Sequence, residues 1–581
     1  MVPEGANRST TNFVGKTFGD LQDKMNYQLK ILKENYNVGA VSVMWECEFK
    51  KLLNQSLEDI PIEMREEASN LRNYVDNVYN HPPVDRLQPR DALKGGKTEV
   101  FRLAWRSEDH PGYKMLYLDH SSLYPSVGMR EPYCSQYPTG KYQVLIGDDL
   151  KDLRIHKGSY KLRKENRYGR PVFEPVRGLM LVRVKPPENM WLPFLPYKYG
   201  ERTYYALCEK CIKSGQQTIC KHSDFERSWI QTYCSNEVNY ALSLGYRFEI
   251  FEIFHYPGSD PLFAKFLALL GSFKIKASGF PSHVISPEAR QSYCDEINLK
   301  NGYDDERLKL TPDNVSRDES KRQFYKDCLN KLLGKLGQDT KSKTKFLSTY
   351  DQVENLYYDP HMNLKEIFAV TQDLVQVGYE KKTDFEQNNN NSNVVIASFT
   401  TSSARIAMDT AFRKLLAAKI QIVYTDTDSV ICVIKKEDEA DLPLVIGENF
   451  GEYKHELGPE ADIVAYAASG PKAYMYIYKN KHGEFEKECK VKGMSLRGKI
   501  AKETLSTDSL ESGVESFARG ESKKIYVPQF GIDINKKTKQ LSSNIRERVF
   551  QNDVFTKRIA LRHPDDIYAT VPIGFRKYEG Y

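Results

Sequence analysis

The 581 residues are 40% hydrophobic, 28% charged and 12% aromatic, which suits several folded units of about 100 to 200 residues and excludes a disordered or collagen-like chain. Eighty-four Lys and Arg against 78 Asp and Glu leave a formal charge of only +6, so any nucleic-acid surface must arise from local clustering. No run reaches the ~18 to 20 uncharged apolar residues that cross a bilayer, and MVPEGANRST has neither the basic nor the apolar region of a leader; an intracellular protein with no membrane partner is expected, with nucleus and mitochondrion not distinguished.

In chain order, LQDKMNYQLKILKENY predicts a helix that passes through Gly39 into the strand VSVMWECEF, so residues 1–85 read as a small α/β segment. Glu46 and Glu48 of that strand read as a charged edge. Pro82, Pro83 and Pro89 forbid a continuing helix and mark a boundary between residues 80 and 90. The apolar strand MLYLDH comes next, followed by a long region rich in Tyr, Pro and Cys that ends near Pro281. Between Asn314 and Gly337 a helix is predicted, with Ser316 and Glu319 as its S-x-x-E cap. QNNNNSN at 387–393 reads as a loop. VVIASF and IQIVYTDTDSVICVI read as strands flanking the helix SSARIAMDTAFRKLLA, and residues 501–581 mix helical and strand-like pieces.

Three segments carry chemistry. Asp119 stands where an apolar strand gives way to the turn HSSLYPS. In YTDTDS, strand alternation points Asp426 and Asp428 to one face, and two buried like charges need a cation between them. Mg²⁺ takes such oxygen ligands and leaves room for substrate phosphates. On the predicted helix RQFYKDCLNKLLGKLG, Arg322, Lys326 and Asn330 recur every four residues and share a face suited to a triphosphate. Taken singly, each is ordinary: a turn former, a solvated hairpin, a basic surface. Together they are the parts of a two-metal phosphoryl transfer site.

These segments resemble the motifs of family B DNA polymerases: DHSSLYPS resembles motif A, KDCLNKLLG motif B and YTDTDS motif C. LKGGKTE, T-S-S-A-R at Thr401 to Arg405 and GPKAY resemble the YxGG, Tx2AR and KxY signatures of the protein-primed branch, of the kind found in Maverick (Polinton) transposons, viruses and linear plasmids. The resemblance implies an α+β right-hand polymerase with a large insertion between palm motifs: palm at 86–127 and 346–500, insertion at 128–300, fingers at 301–345 and thumb at 501–581. It implies template-directed addition of dNMP to a primer 3′-OH with two Mg²⁺ ions, held by Asp119 and Asp428 with Asp426 beside them. Tyr124 would be the steric gate against ribonucleotides; Arg322 and Lys326 would hold the triphosphate and Asn330 the nucleotide. Gly95 and Gly96 would let backbone approach the template, Thr401 and Arg405 would touch its phosphates, and Lys472 with Tyr474 would steady the primer end. DNA, dNTPs and a terminal protein are the implied partners. Leu93, Lys331 and Leu333 depart from the family pattern. The ~118 residues before motif A are too few for the proofreading exonuclease of most relatives, and the D-x-E at Asp384 to Glu386 reads as a loop. The competing reading is a catalytically weak or domesticated DNA-binding remnant. A reverse transcriptase would carry adjacent aspartates, whereas Thr427 separates them here.

Of the ten cysteines, three cluster. Cys208, Cys211, Cys220 and His222 supply four ligands at spacings compatible with structural tetrahedral zinc, with Cys234 in reserve.

Overall fold

Nine antiparallel strands form the central sheet. They are β1 (Thr98–Val100), β2 (Ala104–Arg106), β3 (Tyr113–His120), β4 (Gln421–Asp426), β5 (Ser429–Lys435), β6 (Tyr453–His455), β7 (Asp462–Gly470), β8 (Ala473–Lys479) and β9 (Phe485–Val491), in the order β1-β4-β5-β3-β7-β8-β9, with β2 on β7 and β6 on β3. The computed structural model describes residues 86–576 except 339–343, 350–352, 354–361, 370–374, 382–391, 495, 497–498, 535–540 and 552–556. The chain divides into Met1–Asp85 and Arg86–Tyr581; the helix and strand expected in the first unit lie outside the described residues, as do Asp384 to Glu386 and most of the Asn tract.

Both faces of the sheet are apolar, because successive side chains on a strand point to opposite sides. Leu116 and Leu118 of β3 and Val430, Cys432 and Ile434 of β5 pack on one side; Met115 of β3 and Ile431 and Val433 of β5 pack on the other. With both faces covered, the polar chemistry is left to the strand ends.

The first face is covered by α1 (Leu123–Met129) and by α5 (Val394–Ala417), introduced here with α2 (Ala264–Ser278), α3 (Pro287–Asn301) and α4 (Glu319–Leu336). α5 corrects the sequence reading, since VVIASF is its first turns and not a strand. Asn393 caps it by accepting the Ile396 N–H at 3.1 Å, and residues 397–405 are buried without a break. A helix enclosed on every side can be built from small residues and β-branched ones alike, so packing overrides the local β preference. α4 starts at Glu319, where Asp318, rather than Ser316, accepts the Lys321 N–H at 3.0 Å.

The inserted lobe is a four-stranded sheet, Trp229–Cys234, Gly178–Lys185, Arg247–His255 and Gln143–Ile146 in that order, beside a three-stranded one, Leu153–His156, Ser159–Glu165 and Pro171–Pro175. α2 and α3, expected within the insertion, instead belong with α4: Leu267 of α2 and Leu329 of α4 share one apolar cluster, and α3 joins α2 through Cys294, Ile297 and Ala268. On the second face of the sheet lies α6 (Thr507–Ala518), and the chain closes with the hairpin β10 (Arg558–Ala560) and β11 (Thr570–Pro572). Sheet, helical lobe and insertion make a mixed α+β arrangement, the fold class that the motifs imply. No helix among the described residues is long and apolar enough to cross a membrane.

Candidate active site

β3 leaves the sheet at His120 and β5 enters it at Ser429. Ser429 pairs with Asp119, and the His120 N–H donates to the Asp428 carbonyl at 2.7 Å, so this register delivers Asp119 and Asp428 to one edge. Burial first, and the Asp119 charge second, push the Asp428 carboxyl up to about 6. Ammonium groups reduce the repulsion. Lys454, opposite Asp119 on β6, brings Nζ to 3.1 Å from Asp119 Oδ2. Lys472 brings Nζ to 2.7 and 2.8 Å from the two oxygens of Asp426. An oxygen-only, partly exposed edge with lysines as its present counterions fits a hard divalent cation such as Mg²⁺.

Asp426 and Asp428 do not share a strand face as alternation suggested. β4 ends at Asp426, Thr427 turns with a φ of +66°, and the Asp428 N–H donates back to the Asp426 carbonyl at 2.8 Å. Asp426 then faces Thr98 (3.1 Å) and Lys472, while Asp428 faces Asp119. Gly96 lies under this turn. A Cβ there would stand 2.8 Å from Thr427 Cγ2, and the neighbouring Lys97 carbonyl accepts the Thr427 N–H at 2.8 Å. Gly96 therefore supports the aspartate hairpin, whereas Gly95 is exposed, and a Cβ on it would meet nothing within 4 Å.

Tyr124 projects from α1 just after Ser122, whose φ is +55°. It is half-buried; burial raises its phenol, and Arg405 and Asp428 are close enough to act on it. Beyond it α4 presents Arg322, Lys326 and Asn330. Arg322 pairs with Glu319 at 2.7 Å, and Lys326 and Asn330 are exposed; the side chain of Leu333 is outside the described residues. A fourth cation, missed in the sequence, stands among them. Lys274 on α2 donates to Ser122 Oγ at 3.2 Å, and it is held down to about 8 by burial first, then by Arg322, Lys326 and Lys454. Lys274 with the three cations that act on it forms a ready site for a polyanion.

Thr401 and Arg405 are not at a surface. Both are buried, Thr401 Oγ1 donates to its own helix at Ser398 (3.0 Å), and Arg405 is used up internally. Its Nε and Nη2 donate to Glu237 at 2.8 and 3.0 Å, and its Nη1 to the carbonyls of Lys94 (2.5 Å) and Gly95 (3.2 Å). It grips the glycine loop, and every one of these bonds is internal. Lys472 has a φ of +60°. Tyr474 is buried, its hydroxyl 3.5 Å from that of Tyr117, so it braces the sheet beneath Lys472. Lys557, also missed, lies near enough to Asp426, Lys472 and Lys492 to interact with each.

In the inserted lobe His222 Nδ1 lies 3.4, 3.3 and 3.6 Å from the sulfurs of Cys208, Cys211 and Cys220. Zn–S bonds of about 2.3 Å and Zn–N bonds of about 2.0 Å at tetrahedral angles set S to N at about 3.5 Å. All four ligand atoms lie within 4.8 Å of one another, and the Cys211 N–H donates to Cys208 Sγ at 3.3 Å. The residues fit zinc. Hydrogen bonding from Cys211 holds the Cys208 thiol down to about 5. Cys234 is buried beside Glu237, Arg405 and Lys94 and takes no part.

Residues 88–285 match a family model described as DNA polymerase type B, organellar and viral. Over that stretch the chain is similar to the type B DNA polymerases. A probable DNA polymerase of Podospora anserina is 24% identical over 361 residues, 60% of this chain, and the chain spans only 26% of that relative's length. Among solved structures, Phi29 DNA polymerase complexed with primer-template DNA and incoming nucleotide substrates aligns with a TM-score of 0.45 at 14% identity, covering 90% of this chain and 77% of that one. The family B DNA polymerase of the archaeon Pyrobaculum calidifontis aligns at 0.25 and 11% identity, covering 87% and 43%. Within the type B match fall Asp119, Tyr124, Lys274 and the four zinc-ligand candidates, and motif C lies beyond it. The signal that could have found Lys274 is the spacing F-K-I-K on a helix preceding motif B; Lys454 gave none, because only strand pairing puts it opposite Asp119.

Proposed function

We propose that the chain is a template-directed DNA polymerase that adds dNMP to a primer 3′-OH and releases pyrophosphate, in protein-primed replication of a mobile or viral element. One observation carries this reading: Asp119 and Asp428 meet at neighbouring strand ends, and Lys454, paired with Asp119, also lies near enough to act on Lys274, which Arg322 and Lys326 crowd as well. Two Mg²⁺ ions held by Asp119 and Asp428, with Asp426 beside them, would supply the Lewis acidity for in-line displacement at phosphorus.

The chain's own residues do the rest. Lys274, Lys326 and Arg322 neutralise and orient the triphosphate, Arg322 leaving Glu319 to do so, and Asn330 lines the nucleotide. Lys454 lies against Asp119 until the triphosphate draws it off. Tyr124 fills the space beside the sugar's 2′ carbon, so a ribonucleotide hydroxyl collides with its ring. Lys472, braced by Tyr474, steadies the primer end, and the exposed backbone at Gly95 lies against the template. In this reading residues 86–127 and 346–500 are palm and 501–581 thumb; the fingers at 301–345 gain α2 and α3, and the insertion from 128 meets a terminal protein and DNA. Zinc in the Cys208, Cys211, Cys220 and His222 cluster is a closed structural centre, which metal analysis of the purified chain tests. Primer extension with Mg²⁺ tests the polymerase: incorporation by wild type and none by Asp428→Asn supports it, and DNA binding without incorporation by wild type replaces it with a DNA-binding remnant.

A further inference from the structure

The stretch from Tyr568 to Arg576 touches two bodies at once. Its first half lies against the sheet: the Leu103 N–H donates to the Tyr568 carbonyl at 2.9 Å, and Thr570 Oγ1 donates to the carbonyls of Val100 (3.1 Å) and Phe101 (2.8 Å). Val100 belongs to β1, the strand that sets Thr98 opposite Asp426. The second half lies against the Cys–His cluster. The Leu207 N–H donates to the Ile573 carbonyl and the Cys220 N–H to the Phe575 carbonyl, both at 2.8 Å. Arg576 donates to the His222 carbonyl and pairs with Glu188 at 2.6 Å.

The fit is close and apolar as well as polar. Gly574 has a φ of +90°, and a Cβ on it would meet the Cys208 backbone nitrogen at 2.5 Å. Val571 and Ile573 are buried in the same core as Cys208, Cys211 and Cys220. Three of the four cluster residues, Cys208, Cys220 and His222, thus meet this strap through their own backbone.

The cluster has little secondary structure with which to hold itself. Between Cys208 and His222 the only helix is Glu209–Lys213, five residues, far shorter than the ~12 to 15 at which a helix becomes marginally stable alone. A metal that fixes four side chains there supplies the folding free energy that so short a segment lacks.

We propose that the metal in this cluster staples the C-terminal strap to the inserted lobe, so that closure of the chain around the sheet, and not the chemistry at Asp119 and Asp428, depends on zinc. The proposal rests on reading the Cys–His cluster as a zinc site. Linkage makes the dependence mutual: if zinc tightens the strap, the strap tightens zinc binding by the same free energy.

The full chain is compared with its Arg576→Ala variant, which loosens the end of the strap while leaving every candidate ligand in place. Zinc content, zinc release to a coloured chelator, and amide hydrogen exchange over residues 568–576 are measured with and without zinc. The expected result is about one zinc per chain. Its removal should speed exchange across the strap by roughly 5- to 150-fold, the range of linked sites, with exchange in β3 and β5 unchanged, and Arg576→Ala should release zinc faster than wild type. If zinc binds but strap exchange ignores it and Arg576→Ala releases it at the wild-type rate, the staple is wrong and the zinc site stands. If exchange rises equally in the strap and in β3 and β5, the metal holds the whole fold and the staple is likewise overturned. A chain that contains no zinc and takes up none on titration removes the zinc site itself.

Discussion

The Asp119–Asp428 edge and the Cys208–His222 cluster both crowd groups that call for a cation, and the protein builds them in opposite ways. At the first, the Asp119 side chain keeps 24% of its exposure and the Lys454 beside it 47%. At the second, Cys208 and Cys211 are fully buried and Cys220 keeps only 3%. An exposed edge could trade its lysine counterions for metal and substrate phosphates, whereas a closed tetrahedron would be filled once and would then support what lies on it. Ligand type follows the same division, since oxygen suits exchangeable Mg²⁺ and thiolate with imidazole suits resident zinc.

The sharpest way to break the comparison is to remove one carboxylate. Asp428→Asn should lower the rate of incorporation by about 10³-fold or more, equivalent to the several kcal/mol of charge stabilisation a metal site supplies, while zinc content stays at its wild-type value. Single-turnover primer extension alongside metal analysis reads both. Next in size is Arg405→Ala, which strands the fully buried Glu237 and should cost about 3 to 5 kcal/mol of stability. Denaturant unfolding measures this. The salt dependence of DNA binding should be unchanged in the milder Arg405→Lys, because the buried guanidinium is bonded internally; a shallower slope would support the template role.

A smaller effect is expected at Lys274. Losing one charge-assisted contact of about 1.5 to 3 kcal/mol should raise the KM for dNTP roughly 10- to 100-fold, and a KM that does not move would take Lys274 out of the triphosphate site. The smallest concerns the metal-free edge. Asp428 titrates near 6 in the folded chain against about 3.9 unfolded, so the folded state holds its proton more tightly; this contribution is fully present below the unfolded value and is lost as pH rises through 6. Without Mg²⁺, Asp428→Asn should therefore be more stable than wild type at pH 7 by about 1 to 2 kcal/mol, discounting for partial exposure, and the gain should vanish toward pH 4. Thermal unfolding at the two pH values checks this sign.

The apolar strands around Asp119 and Asp428 were legible because alternation and carboxylate spacing are local properties. The same alternation failed within YTDTDS, where the left-handed Thr427 breaks the period and no local pattern announces it. VVIASF misled for the opposite reason, since its β-branched run, Val394 to Ile396, is locally a good strand, while the enclosed helix that it opens is buried only from Ala397 on. Arg405 was found by its motif and misplaced, because its partner Glu237 lies 168 residues away in the inserted lobe. The Cys–His cluster was legible as a ligand set, but what it supports was not: the strap reaches it from the far end of the chain.

The contact between Gly96 and Thr427 makes the two positions epistatic. A side chain at 96 would collide first with Thr427 Cγ2 at 2.8 Å and then with its Cα at 3.0 Å, so trimming Thr427 to glycine opens only part of the room that Gly96→Ala needs. What residue 96 can become is thus conditioned by a residue 331 positions later in the sequence, and substitution at either reads out as a shift of the turn that carries Asp428.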